Sequence, residues 1–318
     1  MKRCLIFAVL LAAVVTAVYA QDRAPSYFEL DDYNHRYPDR DTNIDLYLQS
    51  WKNSPVYSGS VQHGGWIERP YLTQGDPLNP PRPGAVLKYM KLYNHGNLDP
   101  KSKTQIFSSD REQTLFYIIR GEERLEAGGQ NIPLSEGSGV FIPARIEYQF
   151  FNDSDDFMEA VIIAEDITGD FEPSEEIAWG NYHDSLPGAG MHWAHISRGF
   201  FQHGSPHFQN PVGFTTVSID QFDIAQPHIH GPGVEEIWCQ IQGTSLLIFG
   251  NQLRKQEPGM AFLIPPNFKV PHSSINHTGE PMRWLYMGNR HDDRSEASME
   301  AHNPGWKANI YDKYGIEY

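Results

Sequence analysis

Residues 226–276 read QPHIHGPGVEEIWCQIQGTSLLIFGNQLRKQEPGMAFLIPPNFKVPHSSIN, a stretch in which apolar runs alternate with glycine and proline turns. His228 and His230 lie two residues apart, so a β-strand would direct both side chains to the same face. A Glu-Glu pair follows a Gly-Pro-Gly turn, and His272 follows a proline-rich turn. Three imidazoles and a carboxylate suit a first-row divalent metal, although fourteen histidines also make a chance His-x-His pair common.

The spacing resembles the first of the two motifs of the cupin superfamily, in which His-x-His is followed by a glutamate and, after six further residues, by a glycine. Gly243 is that glycine here, and the six intervening residues place the glutamate at Glu236. The spacer between His230 and Glu236 is longer than is usual in the family, because of the Gly-Pro-Gly insertion. If the insertion shifts the register, Glu235 is the alternative ligand.

The second cupin motif is also present: a glycine, an apolar strand, a proline, a turn, a histidine and an asparagine. These are Gly259, Pro265, His272 and Asn276. The turn before His272 is somewhat longer than in a typical member. The resemblance implies a small β-barrel that binds one divalent transition metal (Mn, Fe, Ni or Zn) through four residues, which are His228, His230, Glu236 and His272.

The motif glycines, proline and asparagine of this half recur earlier in the chain. Three pairs are displaced by 122 residues and a fourth by 124, which absorbs the longer turn before His272. Equal displacements at turn positions indicate an internal repeat. Together with regular strand and turn signals, they predict an all-β chain of two tandem cupin (jelly-roll) barrels, a bicupin. The pairs are Gly121 with Gly243, Gly137 with Gly259, Pro143 with Pro265, and Asn152 with Asn276.

The first barrel is predicted to lack a metal site. The position equivalent to Glu236 is Thr114, the position equivalent to His272 is Tyr148, and residues 103–113 contain no histidine. The fold therefore does not require these ligands, which favours metal binding over a purely structural role for the histidines of the second barrel. Oxalate-decarboxylating bicupins usually carry ligands in both halves, so this difference argues against that particular activity.

The two predicted barrels lie between less regular segments. Apolar positions in residues 43–51 indicate a short helix, and the first clear strand signal begins at Ala85. The predicted segments are a signal peptide at 1–20, an N-terminal arm at 21–84, the degenerate first cupin barrel at 85–165, a linker at 166–210, the metal-binding second barrel at 211–290 and a C-terminal tail at 291–318. The arm either packs on the barrels of its own chain or is exchanged between the two chains of a dimer.

The N-terminus and the charge predict a compartment and disfavour some partners. Lys2 and Arg3, an apolar run and the small residues Val18 and Ala20 are typical of a secretory signal peptide, so we expect a secreted or periplasmic protein. Removing Lys2 and Arg3 changes the formal net charge from −15 to −17, which disfavours nucleic acid and membrane partners. Cys239 would then be the single cysteine, so no internal disulfide is expected.

Strand alternation, counted from Glu236 and His272, predicts which neighbouring side chains face the metal. In the last strand the alternation leaves two choices, Arg283 or Trp284, and an inward Arg283 would anchor a substrate carboxylate through paired hydrogen bonds. Glu235 faces the other way and is expected at the surface or rim. The expected substrate-pocket residues are Trp238, Gln240, Ser274 and Arg283.

Residues 182–210 contain five histidines. These either line the mouth of the second barrel, form a second metal site, or lie on the surface of a structured connection. Their spacing matches no metal-ligand template, so the surface interpretation is preferred. They are His183, His192, His195, His203 and His207.

Four protein ligands around an octahedral metal leave two positions open, as catalysis requires. The main prediction is a secreted, metal-dependent bicupin enzyme that acts on a small oxygenated substrate. It would be an oxidoreductase of the dioxygenase or decarboxylase type, or a lyase or isomerase. The alternative is a non-catalytic cupin of the binding or storage type. The expected partner is a small molecule, and apolar outer strand faces also indicate a homodimer.

Overall fold

The computed structural model describes residues 43–54, 60–77, 79–189, 192, 194–210, 212–228, 234–265 and 270–290. The predicted signal peptide, the C-terminal tail, His230 and the start of the arm lie outside these residues. Within them the chain forms strands and three short 3₁₀ turns (Ile44–Leu46, Trp51–Asn53 and Tyr182–Asp184) and no α-helix. No helix in this part of the chain is long and apolar enough to cross a membrane.

The strands follow one another along the chain as β1 (Leu48–Ser50), β2 (Val61–Gln62), β3 (Trp66–Gln74), β4 (Ala85–Leu87), β5 (Leu92–Leu98), β6 (Ser102–Lys103), β7 (Glu112–Arg120), β8 (Glu123–Ala127), β9 (Gln130–Leu134), β10 (Ser138–Ile142), β11 (Tyr148–Asn152), β12 (Met158–Asp166), β13 (Ala178–Asn181), β14 (Gly188–Ala189), β15 (Ile196–Arg198), β16 (Val212–Ile219), β17 (Val234–Gln242), β18 (Ser245–Phe249), β19 (Gln252–Gln256), β20 (Met260–Ile264), β21 (His272–Ile275) and β22 (Met282–Arg290).

The strand boundaries repeat as the sequence predicts. Strands β7 to β10 recur as β17 to β20 with a displacement of 122 residues, and β12 recurs as β22 with a displacement of 124. Each half contains a large and a small sheet, and their strands pair antiparallel except for the parallel pairing of β4 with β3 in barrel 1. These are β13-β10-β7-β12-β5-β3-β2 with β6-β11-β8-β9 in barrel 1, and β1-β20-β17-β22-β16-β15-β14 with β19-β18-β21 in barrel 2. The all-β prediction of two tandem jelly-roll barrels is confirmed.

The landmark residues of the repeat hold equivalent turns. Gly121 and Gly243 both take positive φ angles, 108° and 67°, where glycine is favoured because it lacks a Cβ atom. Asn276 donates to the backbone oxygen of Glu280 at 2.7 Å and accepts from the hydroxyl of Thr278 at 2.8 Å. Asn152 makes the same two contacts, at 2.9 and 2.8 Å, with the residues four and two positions after it.

The segments predicted as arm and linker contribute edge strands to both barrels. In the first segment, β1 pairs with β20 of barrel 2, whereas β3 pairs with β5 of barrel 1. In the second segment, β13 pairs with β10 of barrel 1, whereas β15 pairs with β16 of barrel 2. We call residues 48–74 the first arm and residues 178–198 the second arm. Each arm therefore crosses from one barrel to the other.

The helix expected at 43–51 is wrong. The segment forms a 3₁₀ turn at Ile44–Leu46 and then strand β1, in which Leu48 pairs with Phe262. Ile44 and Leu48 are both buried. Hydrogen bonds to a strand far along the chain outweigh the weak local preference of so short a segment.

The outer faces of the two large sheets pack together within the chain. Leu115 and Tyr117 of β7 belong to the same buried cluster as Ile237 and Cys239 of β17. The apolar outer faces that motivated the homodimer prediction are thus covered by the other barrel, and the homodimer stays a prediction. Among the described residues Cys239 is a buried free thiol.

Candidate metal centre

Three of the four expected ligand residues lie together at one end of barrel 2. Glu236 lies in β17 and His272 begins β21, while His228 forms an isolated antiparallel bridge with His272. One potential ligand atom from each of these residues lies within 4.8 Å of the others. His230 lies outside the described residues. We refer to His228, Glu236 and His272 as the His-Glu cluster.

The two imidazoles are oriented with their Nε2 atoms toward each other. The Nδ1 atom of His228 lies 2.9 Å from the backbone oxygen of Gln226, and the Nδ1 atom of His272 lies 3.2 Å from that of Val270. A carbonyl oxygen only accepts, so each Nδ1 carries a proton, and in the neutral ring each Nε2 offers a lone pair. The Nε2 atoms are 3.1 Å apart. Two lone pairs at this distance repel unless a proton or a metal cation lies between them, so the arrangement is compatible with a metal site.

Two hydrogen bonds fix the Glu236 carboxylate. Its Oε1 accepts from the hydroxyl of Tyr286 at 2.8 Å, and its Oε2 accepts from the indole nitrogen of Trp238 at 3.1 Å. Glu236, not its neighbour, belongs to the cluster. Glu235 is fully buried on the other face of β17, so its expected place at the surface or rim is wrong.

A cavity of about 180 Å³ opens beside the cluster. Trp238 and Trp284 both line it, and Trp284 takes the inward position of β22. The two indole rings lie 5.3 Å apart at 33° and form an aromatic wall. The lining residues are His192, His195, Ser197, Thr215, Val217, His228, Glu236, Trp238, Trp284 and Tyr286.

Three expected pocket residues do not line this cavity. Arg283 points the opposite way from Trp284, because neighbouring strand residues face opposite sides. Its guanidinium lies 3.3 Å from the Glu136 carboxylate and 4.1 Å from the ring centre of Tyr182.

Gln240 and Ser274 face the barrel interior but lie away from the cavity. Gln240 donates its side-chain amide to the backbone oxygens of Gln242 and Gly243, at 2.9 and 3.2 Å, next to a register shift of β17. Ser274 is buried and does not line the cavity. Alternation gives the face on which a side chain lies, but not its depth along the barrel.

Two histidines of the second arm line the cavity, which overturns the surface interpretation for them. The His192 ring stacks on His228 at 3.8 Å, and the His195 ring meets Trp284 edge-on at 5.5 Å. Burial, reinforced by His192 and opposed by Glu236, lowers the pKa of His195 to about 4. The three other histidines of the segment are exposed, as expected; these are His183, His203 and His207.

The sequence contains a repeated pattern that could have identified His192 and His195 as cavity residues. Residues 192–198 read HWAHISR, and residues 63–69 read HGGWIER, with a displacement of 129. The structure supports this alignment, since Ile67 of β3 pairs with Asn97 and Ile196 of β15 pairs with Ser218. The repeat thus extends into the arms.

In barrel 1 the equivalent positions form a packed core. Thr114 pairs with Ile142 as Glu236 pairs with Ile264, which supports the equivalence drawn from the sequence. Tyr148 stands in the place of His272, and aromatic rings fill the space around it: Trp66, Phe116 and Phe150 are fully buried. The Trp66 and Phe150 rings meet edge-on at 5.2 Å.

Comparisons with known proteins agree with this architecture. Residues 95–164 match the Cupin domain family, and this match falls on barrel 1. The chain has a bicupin fold, with two tandem cupin-like barrels, and the His-Glu cluster of its second barrel has the donor groups to hold a metal ion.

Similar solved structures cover most of the chain. Vicilin from tomato (Solanum lycopersicum) is 10% identical and covers 83% of this chain and 92% of its own, with a TM-score of 0.57. A variant of oxalate decarboxylase from Bacillus subtilis is 12% identical and covers 88% of this chain and 91% of its own, with a TM-score of 0.55. At these identities the likeness concerns the fold alone.

A curated relative matches a shorter stretch. Mannose-6-phosphate isomerase 2 of Arabidopsis thaliana is 26% identical over 90 residues, which is 27% of this chain and 20% of that protein. The match therefore spans about a fifth of the relative's length.

Proposed function

We propose that this protein is a metal-dependent bicupin enzyme that acts on a small oxygenated substrate in barrel 2, as an oxidoreductase or a lyase. The observation that carries the proposal is the His-Glu cluster, whose two Nε2 atoms lie 3.1 Å apart beside a cavity of about 180 Å³. Two solved structures have a similar fold. One is oxalate decarboxylase, which is an enzyme, and the other is vicilin.

The residues of the cluster would hold one divalent transition metal, with His230 as the further expected ligand. Bound there, the metal would supply Lewis acidity and open positions for substrate oxygen atoms. Tyr286 and Trp238 hold the carboxylate of Glu236 in place. The indole rings of Trp238 and Trp284 exclude water from one side of the cavity and provide a flat surface for an apolar part of the substrate.

We also propose that the protein is secreted or periplasmic, that its substrate is a small molecule, and that nucleic acid and membrane are not partners. The support is the signal-like N-terminus with Lys2 and Arg3, and the strongly acidic composition.

Elemental analysis of the purified protein, beside a His228→Ala/His272→Ala double variant, tests the proposal. We expect about one Mn, Fe, Ni or Zn per wild-type chain, and loss of that metal in the double variant. His277→Ala is the matched control, because His277 is exposed and lies beyond the other end of β21. The control should retain the metal.

A wild-type protein that holds no metal, even after reconstitution with each of the four ions, would contradict the enzyme proposal. The remaining interpretation would be a binding or storage cupin. Such a protein should keep its affinity for ligands after treatment with a chelator, whereas the proposed enzyme should not.

A further inference from the structure

The two arms enter their barrels in the same way, so their residues can be compared position by position. At the displacement of 129 residues, Trp66 of the first arm is equivalent to His195 of the second arm. Trp66 is fully buried and packs on Phe116 and Phe150. The residue that fills the interior of barrel 1 is therefore replaced in barrel 2 by a smaller, polar residue that lines a cavity.

A second difference concerns the charges around the arm. In barrel 1 the His63 ring lies between two carboxylates: its Nδ1 contacts Glu68, and its Nε2 lies 2.8 Å from Glu112. The positions of these carboxylates in barrel 2 are occupied by Ser197 and Val234. The two positions that hold carboxylates beside the first arm thus hold no acidic residue in barrel 2.

The Nε2 atom of His195 is buried and has no hydrogen-bond partner among the described residues. A buried polar atom without a partner is costly, and native proteins rarely leave one without water or a ligand. The same ring borders the cavity that the His-Glu cluster borders. The replacement of Trp66 by His195 therefore leaves both a space and a hydrogen-bonding group that no described residue uses.

We propose that His195 binds the substrate, with its Nε2 atom hydrogen-bonded to a hydroxyl or carbonyl oxygen of a small molecule held between the second arm and the His-Glu cluster. This inference rests on the proposed function. A neutral imidazole offers one donor and one acceptor, which suits an uncharged oxygen group better than a carboxylate. The wall formed by Trp238 and Trp284 suits a flat, apolar part of the same molecule.

The test uses the full protein loaded with Co(II), whose visible spectrum reports ligand binding, and acetohydroxamic acid as a small oxygen-donor probe. Wild type is compared with His195→Phe, His195→Gln and His195→Trp, and His183→Phe serves as an exposed control on the same arm. Metal content and thermal midpoint are measured for each protein. All five proteins should bind Co(II) equally and remain folded, because His195 is not in the His-Glu cluster.

We expect His195→Phe to weaken probe binding by about tenfold, because the hydrogen bond is lost. His195→Gln should stay within about threefold of wild type, because the amide retains a donor and an acceptor. His195→Trp should not bind the probe, because the indole would fill the cavity as Trp66 fills barrel 1. The exposed control should behave as wild type.

Equal probe affinities of wild type and His195→Phe, with Co(II) retained by both, would overturn this inference and leave the proposed function standing. A wild-type Co(II) spectrum that does not respond to the probe would also overturn it. A wild-type protein that does not retain Co(II) would overturn the inference together with the proposed function.

Discussion

Tyr286 and Trp238 determine how the Glu236 carboxylate is presented to the two imidazoles. Each donates one hydrogen bond to a different carboxylate oxygen, at 2.8 and 3.1 Å. Each oxygen keeps a second lone-pair direction for a metal, and a carboxylate that is already oriented loses less freedom when it binds. Tyr286 is therefore a positioning residue for the cluster.

Tyr286→Phe removes one of these hydrogen bonds and keeps the ring in the cavity wall. We expect metal affinity to fall by about tenfold, at the lower end of the effect of such supporting contacts. The affinity is measured by competition with a chromophoric chelator. Tyr148→Phe, in the barrel without the cluster, is the control and should bind metal as wild type does. Unchanged affinity in Tyr286→Phe would show that Trp238 alone is enough to orient the carboxylate.

The sequence predicts the placement of some individual side chains and leaves that of others undecided. The spacing to Gly243 selects Glu236 over Glu235, and the structure places Glu236 in the cluster. The choice between Arg283 and Trp284 was open because alternation says only that neighbours face opposite sides. Which of them faces inward depends on the pairing of β22 with β17, and that pairing includes a register shift that no local pattern reveals.

Among the elements, the strands of the two barrels are predictable because glycine turns and apolar runs mark each one. The arms are less predictable, because their strands pair with partners far along the chain: Leu48 with Phe262, and Trp179 with Val140. A short segment without a local partner carries a weak signal, which explains the wrong helix at 43–51. The displacement of 129 residues between the arms was the missing signal for His192 and His195.

The first arm is held in barrel 1 by a buried group of charges. Burial opposes a charge on His63, but the Glu112 and Glu68 carboxylates outweigh this effect and raise its pKa to about 9. Burial likewise opposes a charge on Glu112, yet His63 and Lys91 lower its pKa to about 2. Lys91 lies 2.5 Å from Glu112 and also contacts Asp166 at 3.0 Å. These interactions link the β2–β3 hairpin of the first arm to β7.

This group predicts a pH dependence of stability. The pKa of His63 is higher in the folded state than its ordinary 6.5. Its contribution is therefore complete below pH 6.5 and is lost as the pH rises through about 9. The Glu112 contribution is present above its ordinary pKa of 4.5 and is lost as the pH falls through about 2.

Urea unfolding of the metal-free protein between pH 6 and 9.5 measures the alkaline part of this dependence. We expect the free energy of unfolding of wild type to fall by on the order of 2 kcal/mol over this range. His63→Gln should be less stable at pH 6 and should show a much smaller decrease. The exposed His183→Gln variant should follow wild type. An equal decrease in wild type and His63→Gln would assign the pH dependence to other groups.

For the molecule as a whole, the shared core means that neither barrel is an independent unit. Leu115 of barrel 1 and Ile237 of barrel 2 are fully buried in one cluster. Separating the barrels would expose such residues at a cost of about 1.5–3 kcal/mol for each large apolar side chain. Each arm also pairs with strands of both barrels, so one barrel cannot unfold without removing an edge strand from the other.

We therefore expect one cooperative thermal transition for the whole protein, and metal binding in barrel 2 should stabilise barrel 1 as well. Free metal at 100 times its dissociation constant adds about 2.7 kcal/mol, which corresponds to a rise of roughly 4–5 °C for a cooperative unit of about 300 residues. Scanning calorimetry of wild type should show one peak that moves with metal, and His228→Ala/His272→Ala should show one peak that does not. Two peaks, of which only one moves, would show that the arms and the shared core do not couple the barrels.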